Sequence, residues 1–156
     1  MQKPSHILPD GSISMVDVSA KAVTARTARA EARVRFPADA AQALREATLP
    51  KGDAFVTAQI AGVMAAKQAS SLIPLAHPIP LSRVDVSFDW ADDNVLRVEA
   101  VAATSAQTGV EMEAMVAASV AALTIYDMTK AIDKGITIET VRLLEKTGGK
   151  SGRWTA

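Results

Sequence analysis

Asp127 and Lys130 lie three residues apart in the stretch YDMTK, and Lys134 follows four residues further on. On a helix these three side chains share a face. A carboxylate near a helix C-terminus meets the unfavourable end of the backbone dipole. Exposed, it would make only a weak internal ion pair. Here it follows thirteen uncharged residues, 114–126, so shielding is expected, and a partly buried Asp–Lys pair is a recurrent way to tune a proton-transfer group. The same helix opens on Glu111 and Glu113. Thr108 and Glu111 fit the S/T-x-x-E capping box, which satisfies two backbone donors at a helix start. Glu113 lies outside that box, although a first-turn carboxylate also suits the dipole. Glu113 and Asp127 are fourteen residues apart, so they face the same way at a separation of about 21 Å along the axis. One small substrate cannot easily touch both within one chain.

His77 sits between Ala76 and Pro78 in LIPLAHPIPL (residues 72–81), where three prolines stiffen the backbone. A lone histidine is more often structural than catalytic, but a fixed backbone is what a catalytic group needs. His6, in a polar stretch, is assigned no role. TGGKSG (residues 147–152) resembles the end of a Walker A loop. Counting back from Gly149, Lys150 and Ser151, the glycine that motif requires falls on Leu144, and only four residues follow Gly152. It is not that motif. Its glycines still expose backbone N–H groups, and Lys146, Lys150 and Arg153 add positive charge, so either an anion site or a loose basic tail is expected. Lys51, ahead of Gly52 at a helix start, is a second place suited to phosphate.

These groups need a scaffold, and the patterning predicts one. Ala28, Ala30, Ala32, Val34 and Phe36 alternate with Arg29, Glu31, Arg33 and Arg35 as a half-buried strand. Pro37 opens a short helix to about Thr48. PKGD then breaks the chain, with Asp53 as N-cap of a helix over residues 54–71. The proline segment is extended. Strands follow from Val84 to Trp90 and from Val95 to about Thr104, joined by the turn ADDN. The long helix is expected to reach Asp133, with Gly135 as its stop, and a last strand begins at Val141. The order β, α, α, β, β, α, β is that of an α+β, ferredoxin-like antiparallel sheet with helices on one face and one extra helix. Residues 1–14 read as a flexible arm and residues 15–156 as a single domain, without repeat or linker.

Composition narrows the function classes. Seventeen basic and seventeen acidic residues balance, so overall charge gives no argument for nucleic acid or an anionic membrane. No cysteine is present, which excludes disulfides, thiolate metal ligands and cysteine nucleophiles. With two histidines, a zinc site would need mostly carboxylates, and no metal site is expected. The uncharged run is too short for a membrane span, which takes about twenty residues, and residues 1–11 lack the apolar core of a secretory signal. A soluble, cytoplasmic protein is expected. Apolar residues make up 49% of the chain and aromatic ones 4%, so the core is rich in alanine and valine, and the surplus of small side chains suggests burial against further copies.

Seven segments in order resemble one family: MVDVSAK (residues 15–21), KGD (51–53), AGVMAAK (61–67), LIPLAHPIPL, TGVEMEAM (108–115), LTIYDMTKAIDKG (123–135) and LLEKTGGKSG (143–152). The chain is similar to the MoaC-type cyclic pyranopterin monophosphate synthases of molybdenum cofactor biosynthesis. The resemblance implies that residues 15–156 are one such synthase domain. It would be a lyase that rearranges a cyclised dihydro-GTP, closes a cyclic phosphate and releases diphosphate.

The resemblance also implies a homohexamer, a trimer of dimers, with sites at dimer interfaces. Asp127, Lys130, Lys51 and Lys146 become the catalytic candidates. Leu75, Ala76, His77, Met112, Glu113, Glu111 and Lys150 become substrate-binding candidates. No cofactor is required, with Mg2+ assistance to the phosphates left open. The family often carries cysteine where this chain has Ala76, so that position would act through backbone or shape. The rival class is a non-catalytic oligomer of the same fold that binds a nucleotide or phosphate. No nucleic-acid or membrane partner is expected.

Overall fold

The structure, a computed structural model, describes residues 4–156, so the first three residues of the expected arm lie outside it. The elements follow in the order β1 (Thr24–Arg35), α1 (Ala38–Arg45), α2 (Ala54–Lys67), α3 (Ala69–Leu72), β2 (Leu81–Trp90), β3 (Val95–Ala106), α4 (Glu111–Thr129), β4 (Thr137–Thr147) and β5 (Trp154–Thr155). The strands form one antiparallel sheet ordered β2-β3-β1-β4-β5. The first four reproduce the ferredoxin-like arrangement, with α2 and α4 as its principal helices.

Alternation decides which side is covered. Ala28, Ala30, Ala32 and Val34 of β1 are buried, as are Ala114, Ala117, Ala118, Ala121, Ala122 and Ile125 of α4. Small side chains on both surfaces let the helix lie close to the sheet. Gly62 of α2 lets that helix approach both the sheet and α4, since a Cβ there would stand 2.8 Å from Val86 Cγ2 and 3.1 Å from the Ala117 carbonyl oxygen. Asp53 caps α2 as expected, accepting from the Val56 N–H at 3.1 Å.

The opposite sheet face carries an ion-pair lattice. Register sets Glu31 opposite Glu99 and Arg33 opposite Arg97, like-charge pairs that would destabilise the sheet if left alone. Neighbours relieve them: Arg142 meets Glu31 at 2.8 Å, Arg29 meets Glu99 at 3.3 Å, and Arg97 meets Asp89 at 3.0 Å. Glu31 is thereby only 1% exposed, although alternation alone put it on the open face. Burial pushes its carboxyl up, but the Arg142 hydrogen bond and the charges of Arg33 and Arg142 outweigh that and hold it below the usual range.

Element ends differ from the sequence expectation in several places. The helix expected over residues 54–71 breaks after Lys67, with α3 beginning at Ala69, and β1 and β2 begin at Thr24 and Leu81, ahead of the expected Ala28 and Val84. No capping box forms: Val110 is the N-cap of α4, without a side-chain cap bond. Glu111 turns instead to an ammonium, a stronger partner than a backbone N–H. At its other end α4 stops at Thr129, because the Ile132 N–H reaches back only three residues to Thr129 and Asp133 receives the Gly135 N–H at 2.6 Å. The last long strand starts at Thr137, four residues before the expected Val141. The C-terminal tail is not loose: β5 pairs with β4 through Glu145–Thr155 and Lys146–Trp154. Gly148, Gly149 and Gly152, with φ of +92°, +74° and +63°, supply the left-handed turns of that reversal. Within the expected arm, Ile7 and Ile13 bridge, and the His6 Nδ1 lies 3.1 Å from the Ser14 carbonyl oxygen.

Candidate active site

Helix α4 carries charge at both ends, and each end is completed by residues distant in sequence. At the C-terminal end Asp127 accepts from the Lys130 Nζ at 2.7 Å and from the Lys51 Nζ at 2.8 Å. The loop that Asp53 pins ahead of α2 delivers Lys51. The Asp127 side chain is 51% exposed, not shielded as expected, because Ile125, Met128 and Thr129 take the buried positions of this turn. Lys134 does not join the group; its backbone carbonyl accepts from the Tyr126 hydroxyl at 3.2 Å. Hydrogen bonds from Lys130 and then Lys51 lower the Asp127 pKa to about 2, and the Lys130 ammonium is raised in turn by Asp127. Two ammoniums thus share one permanent carboxylate, and the trio keeps an excess positive charge for an anionic substrate.

At the N-terminal end the Lys146 Nζ donates to Glu111 at 2.8 Å. The Glu111 carboxyl folds back over Gly109, where any Cβ would collide with it. This pair lines a cavity of about 710 Å³ together with Lys21, Arg26, Lys150 and the loop at Gly148 and Gly149. That loop lies flat on the start of β1: a Cβ at Gly148 would strike the Ala25 carbonyl oxygen. Arg26 is anchored there, its Nε donating to the Ala106 carbonyl at 3.1 Å. Basic side chains around exposed backbone N–H groups suit a polyphosphate.

A second cavity, of about 310 Å³, joins the first, sharing Lys21, Thr108, Gly109 and Glu111 with it. Leu75, Ala76 and His77 form one wall, and Met112 and Glu113 another. His77 Nε2 lies 2.6 Å from the Val16 carbonyl oxygen, which requires the N–H at that nitrogen. Glu113 is 5% exposed. Burial first, and then the charge of Glu111, raise its pKa, against the pull of a backbone hydrogen bond. It is the carboxyl group of this cleft best suited to carry a proton.

The expected residues therefore fall into two groups. Leu75, Ala76, His77, Glu111, Met112, Glu113, Lys146 and Lys150 surround the joined cavities, while Lys51, Asp127 and Lys130 cluster at the far end of α4. Glu111 and Asp127 are about 24 Å apart along the helix. Lys21 and Arg26 were not among the expected site residues. Lys21 ends the segment MVDVSAK, a signal that was present, whereas nothing local distinguishes Arg26 from the other arginines of its strand. Among the described residues no group of three or more His, Cys, Asp or Glu side chains could hold a metal ion, and no helix is long and apolar enough to cross a membrane.

The model of the MoaC family matches residues 15–149. A cyclic pyranopterin monophosphate synthase of Corynebacterium efficiens is 53% identical over 155 residues, covering 99% of each chain. Proteins of the same name from two strains of Corynebacterium glutamicum are 52% and 51% identical, again over 99% of each chain. The family match includes both ends of α4, the proline segment and the loop up to Gly149, and with relatives similar over nearly their whole length, this chain belongs to the MoaC family.

Proposed function

We propose that this protein converts 3′,8-cyclo-7,8-dihydroguanosine triphosphate to cyclic pyranopterin monophosphate, releasing diphosphate, in molybdenum cofactor biosynthesis. The observation that carries the reading is the 53% identity, over 99% of both chains, to a protein named for that product. The chemistry of the cleft agrees with it. Closing the cyclic phosphate forms a bond from a sugar hydroxyl to the α-phosphorus and breaks the bond to diphosphate. The hydroxyl proton must reach a base, and charge builds on the leaving group. Lys146, Lys150, Lys21 and Arg26 suit the triphosphate and the departing diphosphate. Glu113 suits the proton transfers of the pterin rearrangement, and Asp127 with Lys130 and Lys51 supplies an ionised trio. No resident cofactor takes part, and Mg2+, where it assists, enters with the triphosphate.

The reading includes assembly: a cytoplasmic homohexamer, a trimer of dimers, in which the Asp127 end of one α4 completes the cleft at the Glu111 end of another. Two features support this. The clusters stand too far apart on one rigid helix to share a small substrate. Val56, Ile60 and Met64, spaced four residues apart on α2, are exposed with Leu123 of α4, a stripe suited to contact between copies. The test is turnover of the cyclised substrate by the purified protein, read as diphosphate release and pterin formation. Protection against heat by GTP without diphosphate release would favour the non-catalytic binder instead.

A further inference from the structure

We infer that Gln107 is a positioning residue: its side-chain amide clips the segment at residues 16–21 across the cleft and so aims Lys21 at the junction of the two cavities. Lys21 lines both, yet it lies on a loop ahead of β1, and loops hold a side chain only as well as their tethers do. The segment is folded locally by two turns. The Asp17 carboxylate accepts the Ser19 N–H at 2.8 Å, and the Lys21 N–H reaches the Val18 carbonyl at 2.9 Å. Neither bond ties it to the body of the protein. His77 does so at one end, through the Val16 carbonyl. At the other end the Gln107 Nε2 lies 3.3 Å from the Ser19 carbonyl oxygen and 3.2 Å from that of Lys21, one N–H for each.

The clip has a rigid base. Gln107 directly follows β3, whose last residue Ala106 also accepts from Arg26, and it stands four residues before Glu111. One side chain therefore references the Lys21 peptide to the elements that hold the anion cavity. Both carbonyls can be satisfied by water when the amide is lost, so little stability depends on it. Water cannot hold the loop in register, however, and the loss should be felt as poorer substrate capture.

The inference rests on the proposed function for its kinetic arm alone. Gln107→Met keeps the side chain's length and neutrality but removes the donors. It is expected to raise KM for the cyclised substrate about five- to tenfold while kcat stays within about twofold and the melting temperature is unchanged. In a Lys21→Ala background the same substitution should add nothing, since the amide acts through that lysine. Hydrogen exchange at the amides of residues 19–23 should be faster in Gln107→Met and slow again in Gln107→Lys, whose ammonium can donate to the same two carbonyls. A wild-type KM in Gln107→Met, full additivity with Lys21→Ala, or exchange that does not change overturns the inference. If the wild-type protein fails to turn over, the functional reading falls, and the exchange comparison still decides whether Gln107 holds the loop.

Discussion

A site assembled from two subunits makes a quantitative prediction about mixed oligomers. Asp127→Asn removes the charge that holds Lys51 and Lys130 at 2.8 and 2.7 Å and leaves an amide that can accept from only one of them. Lys146→Met removes the ammonium paired with Glu111 at the other end of α4. Each variant alone should lose about two orders of magnitude in turnover. In a symmetric dimer both pockets of either variant carry one defect. In a hybrid dimer one pocket receives both defects and the other neither. Random pairing of equal amounts gives hybrids in half the dimers and an intact pocket in half of their sites, so about one quarter of wild-type activity should return. The recovered activity should show the wild-type KM, because the intact pockets are unaltered. The assay is denaturation and refolding of the two variants together, with hybrids counted by native mass spectrometry and product formation compared with each variant refolded alone. Confirmed hybrids without recovery would refute the reasoning, since that result requires both clusters to serve one pocket from the same chain.

Asp127→Asn and Lys130→Ala should each lower kcat about a hundredfold without altering the circular dichroism spectrum; near-normal turnover in either removes it from the mechanism. Because Asp127 titrates at about 2, its contribution to stability is present above the ordinary carboxylate range and lost only as pH falls through that value, so kcat should show no limb from it between about pH 5 and 9. Glu113 behaves oppositely. Its folded pKa is raised, so the native state is favoured below the ordinary glutamate range and loses stability as pH rises through the raised value. Glu113→Gln should therefore raise the melting temperature at neutral pH, with the gain vanishing near pH 4, while turnover falls at least about tenfold; a calorimetric series with no pH-dependent gain contradicts this. Glu111→Ala, lacking any cap to lose, should cost under about 1 kcal/mol in urea unfolding and raise KM; a larger loss means that Glu111 braces the helix after all. Gly148→Ala, forced to a φ of +92° against the Ala25 carbonyl, should cost about 1–3 kcal/mol and weaken diphosphate binding in a calorimetric titration.

Much of this protein was legible in one dimension, where the signal is local. Alternation in residues 28–36 and 84–90 identified strands, and the proline segment excluded helix, because period and proline act within a few residues. Asp53 was readable as a cap because its partner is three residues away. The motifs identified the family without coordinates. Other features were settled by residues far apart in the chain. Glu111 fitted a capping box, yet in the fold an ammonium 35 residues on is within 2.8 Å and wins over a backbone donor. Lys51 read as a lysine suited to phosphate at a helix start, and only tertiary packing paired it with Asp127 from 76 positions away. The exposure of Asp127 and the burial of Glu31 and Glu113 were equally unreadable, since a side chain's dielectric surroundings belong to whatever packs over it. The C-terminal glycines read as an anion site or a loose tail, and only the edge of β4 gave the last residues a strand to pair with. Sequence determined which chemical groups this protein possesses and the elements that carry them, because those depend on residue type and short-range periodicity. Only the tertiary structure decided which groups meet and how far each is removed from water, because both follow from contacts between segments remote in the chain.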